Sequence, residues 1–273
     1  MGDKRYRELK DYKAAGTNAG KVSIVGAGPG DPELITVKAL RRLEEADLLL
    51  YDRLVNRKLL DYAKPEAVKI YCGKAPGRHT LPQEQIQALM VQHALSGKHV
   101  VRLKGGDPLV FGRGGEEALA MAKAGISYEI IPGITSALGA AASGAIPLTH
   151  RGISASCAFV TGSRCGSGQR QVRWDLLAGA VDTLVIYMGV GELAALCGEM
   201  LRSGKAPDTP AAIIERGTTA KQRILTGRLD QLDKLAVSMQ AENPALIVIG
   251  EVVRVRSELL ELEARMMEQT SSA

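Results

Sequence analysis

The chain reads as an α/β protein made of two α/β domains with mostly parallel or mixed sheets. Three observations predict this. Short apolar runs of strand length alternate with helical patterns along nearly the whole chain. Glycine-rich turns stand where strands give way to helices. A length of 273 residues exceeds what one small core needs and suits two domains of moderate size.

In chain order, Ala15–Gly20 is small and polar and reads as a linker. Lys21–Gly26 is an apolar run closed by glycine, the pattern of a buried strand. Helical spacing follows over Glu33–Ala46, where Leu34, Val37, Leu40 and Leu43 share one face. Leu48–Tyr51 and Val68–Cys72 read as strands. Thr80 stands as an N-cap, with Pro82 in the first turn and Gln83 at the capping-box position, so a helix is predicted to about Leu95, stopping at Gly97. His99–Leu103 is a strand, Glu116–Lys123 a helix ended by Gly125, and Tyr128–Ile131 a strand. The second half repeats the alternation, with strands near Cys157–Thr161, Thr183–Met188, Ala211–Glu215 and Ala245–Gly250. The segment Pro132–Arg151, rich in Gly, Ala and Pro, carries the domain junction. The expected boundaries are a tail at 1–20, domains at 21–133 and 134–258, and a C-terminal helix or tail at 259–273. No internal repeat is evident.

Composition narrows the function. Hydrophobic residues make up 45% and charged residues 24%, an ordinary balance for a soluble chain. Aromatics are scarce at 4%, which argues against base stacking on exposed rings. The net charge of +5 permits an anionic partner, but the basic residues are scattered, which favours an acidic small molecule over nucleic acid. The four cysteines form no C-x-x-C pair and the four histidines no ligand spacing, so no metal is expected. No apolar run is long enough for a transmembrane helix, and residues 1–13 lack the apolar core of a secretory signal. The expectation is a cytoplasmic protein with no membrane partner.

Five motifs stand out. Gly26-Ala27-Gly28-Pro29-Gly30-Asp31-Pro32 is a turn that lets a ligand approach the backbone, but Asp31 replaces the third glycine of a dinucleotide fingerprint and would repel a pyrophosphate. Asp52-Arg53 ends the second strand, at the edge where open α/β sheets bind ligands; a surface ion pair explains it equally well. The run from Arg102 to Glu117 holds five glycines between 105 and 115, more than any packed core needs, and Arg113 and Glu116 stand three apart at a helix start, able to face one site. Pro132–Ala137 leads through small residues to Ile146–Arg151, where the planar fork of Arg151 suits a carboxylate. Tyr187-Met188-Gly189 ends a strand; Met188 suits a soft apolar contact, although a core methionine is the commoner case.

Taken together, VGAGPGDPELIT, YDRLV, GK with H-x-L-P-Q, VVRLKGGDPLVFGRGGEE, PGITSA, IPLTHR, YMG and PALIVIGEV resemble the tetrapyrrole methylase family from about Lys21 to Val253. The resemblance implies two α/β domains with S-adenosyl-L-methionine in a cleft between them, a homodimer, and methylation of uroporphyrinogen III at two ring carbons, giving precorrin-2 by way of precorrin-1. By motif, the cofactor is expected at Pro29, Gly105, Gly106, Asp107, Val110, Thr135, Ser136, Met188 and Gly217. Asp52 and Lys74 match acid/base positions. Arg113 and Glu116 match catalytic or substrate positions, and Arg151 a substrate position. Arg53 and Met188 join the expected substrate contacts. Ser136 and Gly115 each stand where the family commonly has Ala, and Glu215-Arg216 stands where a Ser-Gln pair is usual. Rival readings are a methylase of a later corrin precursor, a nicotinamide-dependent dehydrogenase and a non-catalytic tetrapyrrole carrier.

Overall fold

The computed structural model describes residues 19–73, 81–163 and 172–271. The chain divides into two compact units, residues 1–135 and 136–273.

The first unit holds a five-stranded sheet in the order β3-β2-β4-β1-β5, from β1 (Lys21–Gly26), β2 (Leu48–Tyr51), β3 (Val68–Tyr71), β4 (His99–Lys104) and β5 (Ser127–Ile131). Every pairing is parallel. All five strands therefore end on one edge, where the loops gather. Because side chains alternate across a strand, the sheet has two buried faces. On one, Val22, Ile24, Leu50 and Val100 pack against α2 (Gln83–Leu95) and α3 (Gly114–Lys123) through Ile86, Met90, Ala118 and Met121. On the other, Val25, Leu49, Val101 and Leu103 pack against Ala39 and Leu43 of α1 (Val37–Glu45) and against Leu59 and Leu60 of a 3-10 segment, Arg57–Tyr62.

Two helix starts differ from expectation. The predicted helix from Glu33 is split. A single 3-10 turn, Pro32–Leu34, comes first, and α1 begins only at Val37, where Thr36 accepts the Ala39 N–H. The sequence carries two capping residues, Asp31 and Thr36, and the second wins the helix. Helix α2 starts at Gln83 with Pro82 as its N-cap residue and no side-chain cap, while Thr80 lies outside the described residues. The predicted stops at Gly97 and Gly125 both have positive φ, 84° and 66°.

Glu129 of β5 lies under α1 and is hydrogen-bonded by Ser23 at 2.9 Å, ion-paired to Lys38 at 3.0 Å and bonded to Arg42. Burial opposes its ionisation, but these donors outweigh it and hold the carboxyl down at about 2 from an ordinary 4.5. A folded-state value below the unfolded one stabilises the fold above the unfolded value, and that stability is lost as pH falls toward the folded value. The melting temperature is therefore expected to fall between about pH 5 and pH 2, and Glu129→Gln to flatten that limb. An unchanged slope in scanning calorimetry would remove Glu129 from the acid sensitivity.

The second unit has a mixed sheet in the order β6-β7-β10-β8-β9: β6 (Cys157–Thr161), β7 (Thr183–Tyr187), β8 (Pro210–Glu215), β9 (Arg223–Arg228) and β10 (Ala245–Ile249). Only β6 and β7 are parallel; β10 runs antiparallel to β7 and β8, and β8 to β9. Strand β9 was not expected: it is amphipathic and half-exposed, with Arg, Thr and Gly among its residues, so it carries no buried-strand signature. Leu184, Ile186, Ile213 and Ile247 form a core with Leu196 and Met200 of α6 (Leu193–Arg202) and Leu232 of α7 (Leu232–Ser238). Helix α5 (Trp174–Ala180) adds Ala178 to the same core. Helix α4 (Ser136–Ser143) is joined to α8 (Val252–Ser271) near its end, where Arg256 donates to the Gly144 carbonyl at 2.5 Å.

Candidate functional site

The loops beyond β1, β4 and β5 approach one another more closely than side chains allow. Gly28 and Gly106 form a two-hydrogen-bond bridge, 3.2 and 2.7 Å. A Cβ on Gly133 would sit 2.3 Å from the Gly106 carbonyl oxygen, and one on Gly26 2.5 Å from the Gly133 nitrogen. Asp107 ties this arrangement together, accepting from Leu109 N at 2.8 Å and from Gly133 N at 3.1 Å. Its carboxylate thus serves the loops, and beside it lie the half-exposed Gly105 and Gly106, with Val110 half-buried a few residues on and Pro29 half-buried next to Gly28. Asn56, which the motif reading passed over, donates to the Gly30 carbonyl at 2.7 Å and holds the first glycine turn to the loop beyond β2.

Asp52 follows β2 directly. Its Oδ1 accepts from Arg102 at 2.5 Å, and Lys104 Nζ lies 3.8 Å from its Oδ2. Arg102 and Lys104 are two apart on β4 and so point to one face, toward Glu117 of α3, whose Oε1 receives Arg102 at 3.0 Å, Lys104 at 3.2 Å and Gln83 at 3.0 Å. Arg53 is exposed and makes no ion pair among the described residues. Lys74 lies outside them.

Arg113 and Glu116 do meet, in a two-pronged pair at 2.9 and 2.7 Å, with both side chains about half exposed at 53% and 51%. Arg113 is the N-cap residue of α3, with φ at 59°. The hydrogen bond from Arg113 lowers the Glu116 pKa, which makes Glu116 a weaker base than a free glutamate. An exposed pair of this kind is worth at most about 1 kcal/mol.

Buried Thr135 is the last residue of the first unit. In the second, α4 begins at Ser136 and its Ala137 N–H is satisfied by the Tyr187 hydroxyl at 2.9 Å. That capping role of Tyr187 has no sequence signal, because the partners lie 50 residues apart. The structure corrects the commoner reading of Met188: it is not core but 51% exposed, with φ at 53°. Among the described residues, Ala145 and Gln240, with positive φ, close helices, whereas Phe111, Arg113, Met188 and Arg216, also at positive φ, stand in loops of the motifs. Strained backbone of this kind collects where function requires a particular presentation. Gly217 packs against α4, where its Cβ would sit 2.3 Å from that of Ala140. The unusual Glu215-Arg216 pair is put to use: buried Glu215 binds Arg223 and accepts from Glu242 N at 2.5 Å, and Arg216 pairs with Glu242 at 2.8 Å. Arg151 is exposed and without an ion pair among the described residues.

The family model described as Tetrapyrrole (Corrin/Porphyrin) Methylases matches residues 21–233. The chain belongs to the tetrapyrrole methylase family. A uroporphyrinogen-III C-methyltransferase of Priestia megaterium is 56% identical over 234 residues, which is 86% of this chain and 98% of that one. The crystal structure of a uroporphyrin-III C-methyltransferase from Thermus thermophilus, complexed with S-adenyl homocysteine, superposes with a TM-score of 0.74 at 43% identity, over 86% of this chain and 94% of that one. A cobalt precorrin-4 methyltransferase gives a TM-score of 0.76 at 28% identity, covering 85% and 95%.

The first glycine turn lacks the features of a dinucleotide site. In a dinucleotide fold the pyrophosphate takes the N–H groups at a helix start. Here Asp31 occupies the turn after the glycines and accepts the Glu33 N–H at 2.9 Å, and only a three-residue 3-10 turn follows. The strand order β3-β2-β4-β1-β5 also departs from the dinucleotide order. Glycines 105 and 106 present half-exposed backbone beside the first glycine turn. Among the described residues there is no cluster of three metal-ligating side chains and no helix long and apolar enough to cross a membrane.

Proposed function

We propose that the chain transfers methyl groups from S-adenosyl-L-methionine to C2 and C7 of uroporphyrinogen III, making precorrin-2 by way of precorrin-1, for cobalamin, siroheme or related tetrapyrrole synthesis. The observation that carries this reading is the glycine-walled junction of the loops after β1, β4 and β5, in a chain 56% identical to a uroporphyrinogen-III C-methyltransferase across 98% of that enzyme. The relative solved with S-adenyl homocysteine supports the choice of donor. The later corrin precursor is less well supported, because the precorrin-4 methyltransferase shares only 28% identity.

When bound, the donor supplies an electrophilic methyl carbon to an electron-rich pyrrole carbon. Pro29, Gly105, Gly106, Val110, Thr135, Ser136, Met188 and Gly217 hold and orient it, and much of the rate gain comes from that orientation. Asp107 acts from behind by shaping the loop. The acid-rich macrocycle is met by the cations Arg53, Arg113 and Arg151, whose planar forks suit carboxylates, with Met188 against its apolar body. Methylation leaves a cationic ring that must lose a proton, and Asp52 takes it, with Lys74 as the acid/base partner expected by motif. No metal takes part. The working assembly is a homodimer in the cytoplasm, without nucleic acid or membrane.

Arg113→Ala is expected to lower kcat/KM by about 100-fold while the affinity for S-adenosylhomocysteine stays within about twofold, because one carboxylate clamp is lost and no cofactor contact is. Steady-state kinetics with calorimetry checks this, and full activity in the variant would remove Arg113 from substrate recognition. The reaction itself is tested by anaerobic incubation with both substrates and product mass spectrometry. A gain of two methyl groups supports the proposal; no gain on uroporphyrinogen III, with methylation of a later corrin precursor instead, overturns it.

A further inference from the structure

Behind Asp52 the first unit contains three buried ions, Arg102, Lys104 and Glu117, that the reaction above does not use. Arg102 and Glu117 are 2% and 0% exposed, and Lys104 is 4% exposed. They lie on the sheet face lined by Val22, Ile24, Leu50 and Val100, where alternation along β4 would place apolar residues at 102 and 104. The cluster reaches the surface at one point, Asp52, whose side chain is 30% exposed.

Stability does not explain this arrangement. Ion pairs taken out of water rarely stabilise a fold more than packed apolar residues of similar size. Moreover, Glu117 Oε2 is buried and has no hydrogen-bond partner among the described residues. What the arrangement does achieve is geometric. The register sets Leu50 of β2 opposite Arg102 of β4, which carries the next strand-end position, Asp52, to the level of Lys104. Arg102 spans the two carboxylates, with Nε on Glu117 at 3.0 Å and a terminal nitrogen on Asp52 Oδ1 at 2.5 Å, while its other terminal nitrogen reaches the Leu50 carbonyl at 3.4 Å. Oδ1 of Asp52 is thereby held, and Oδ2, with Lys104 at 3.8 Å, makes no hydrogen bond among the described residues.

We infer that Arg102, Lys104 and Glu117 are positioning residues that hold the Asp52 carboxylate by one oxygen and present the other to the methylated ring. The inference rests on the reading of Asp52 as the proton acceptor. In the step concerned, a C–H or N–H bond of the cationic methylated ring breaks, its electron pair stays in the ring, and the proton becomes bound to Asp52 Oδ2. Arg102 stays bonded to Oδ1 throughout. Glu117, itself bonded by Gln83, binds both Arg102 and Lys104, so the fork cannot swing away as the charge on Asp52 changes. Lysine in place of Arg102 keeps the charge but cannot bridge both carboxylates, because it lacks the planar fork.

A double-mutant cycle tests this. The single variants Asp52→Asn, Arg102→Lys and Glu117→Gln and the doubles Asp52→Asn/Arg102→Lys and Asp52→Asn/Glu117→Gln are assayed for kcat, for KM, for S-adenosylhomocysteine affinity and for melting temperature. In the wild-type background, Arg102→Lys and Glu117→Gln are expected to lower kcat by about tenfold or more with cofactor affinity within about twofold. In the Asp52→Asn background the same changes are expected to alter kcat by less than about twofold, because residues that act through one group are not additive. Multiplying losses in the two backgrounds, or unchanged kcat in the single variants, would overturn the positioning role while leaving Asp52 in place. Wild-type turnover in Asp52→Asn alone would instead overturn the reading of Asp52, and this inference with it. Should Glu117→Gln not fold, the charge-preserving Arg102→Lys and Lys104→Arg carry the same cycle.

Discussion

Asp52→Asn is expected to lower kcat by roughly 100- to 10,000-fold while S-adenosylhomocysteine binds as in the wild type. The substitution keeps the shape of the side chain and removes its capacity to take a proton. Asparagine still offers an oxygen to Arg102, so the local packing persists and the effect falls on the chemical step. Methyl transfer itself needs no base; the cationic ring it leaves does. Pre-steady-state measurement should therefore separate a first methyl transfer that is only moderately slowed from a proton loss that limits turnover. A kcat within about threefold of wild type would exclude Asp52 as the acceptor.

The second large effect is expected from a single methyl group. In Gly133→Ala the new Cβ meets the Gly106 carbonyl oxygen at 2.3 Å and the Gly26 carbonyl carbon at 2.8 Å. Both neighbours are backbone, so no side chain can rotate away, and the loops after β1, β4 and β5 must separate. The strands beneath pack through residues such as Val25, Leu103 and Ile131, which the change does not touch. Affinity for S-adenosylhomocysteine is expected to fall by about 100-fold or more, a loss of at least about 2.7 kcal/mol, with the molecule still folded. Gly115→Ala is the control. Nothing lies within 4 Å of its added Cβ, and its place in α3 favours alanine, so binding should be unchanged and stability equal or slightly higher. Equal affinities in the two variants, measured by calorimetry, would show that close approach of the three loops is not what holds the cofactor.

The alternation of strand and helix was legible because β1 and β2 are buried on both faces and read as short, mostly apolar runs. The glycine motifs were legible for a related reason: backbone that must touch backbone tolerates nothing else, as Gly26, Gly106 and Gly133 show. Position within an element was harder to read. Asp31 and Thr36 both look like caps, and only packing of Ala39 and Leu43 decides which one starts α1. Strand β9 escaped because it lies at an edge, with Thr226 and Arg228 exposed and only Leu225 buried. At Met188 frequency argued for the core, while the strained loop after β7 turns it outward.

The candidate site divides in the same way. Arg113 and Glu116 are three apart and one turn of helix brings them together. Glu117, the next residue, is the one that α3 buries, and no local pattern separates the two glutamates. Its partner Arg102 is 15 residues away, and Asp52, which Arg102 also binds, is 50 residues from Arg102, so only the sheet register reveals the cluster. Asn56 and Tyr187 act on backbone groups 26 and 50 residues away and leave no trace in their own neighbourhoods.

The most direct measurement is a crystal structure of this protein grown with S-adenosylhomocysteine. The predicted result is the ligand lying against the backbone of Gly105 and Gly106. A molecule bound away from both glycines would contradict the account.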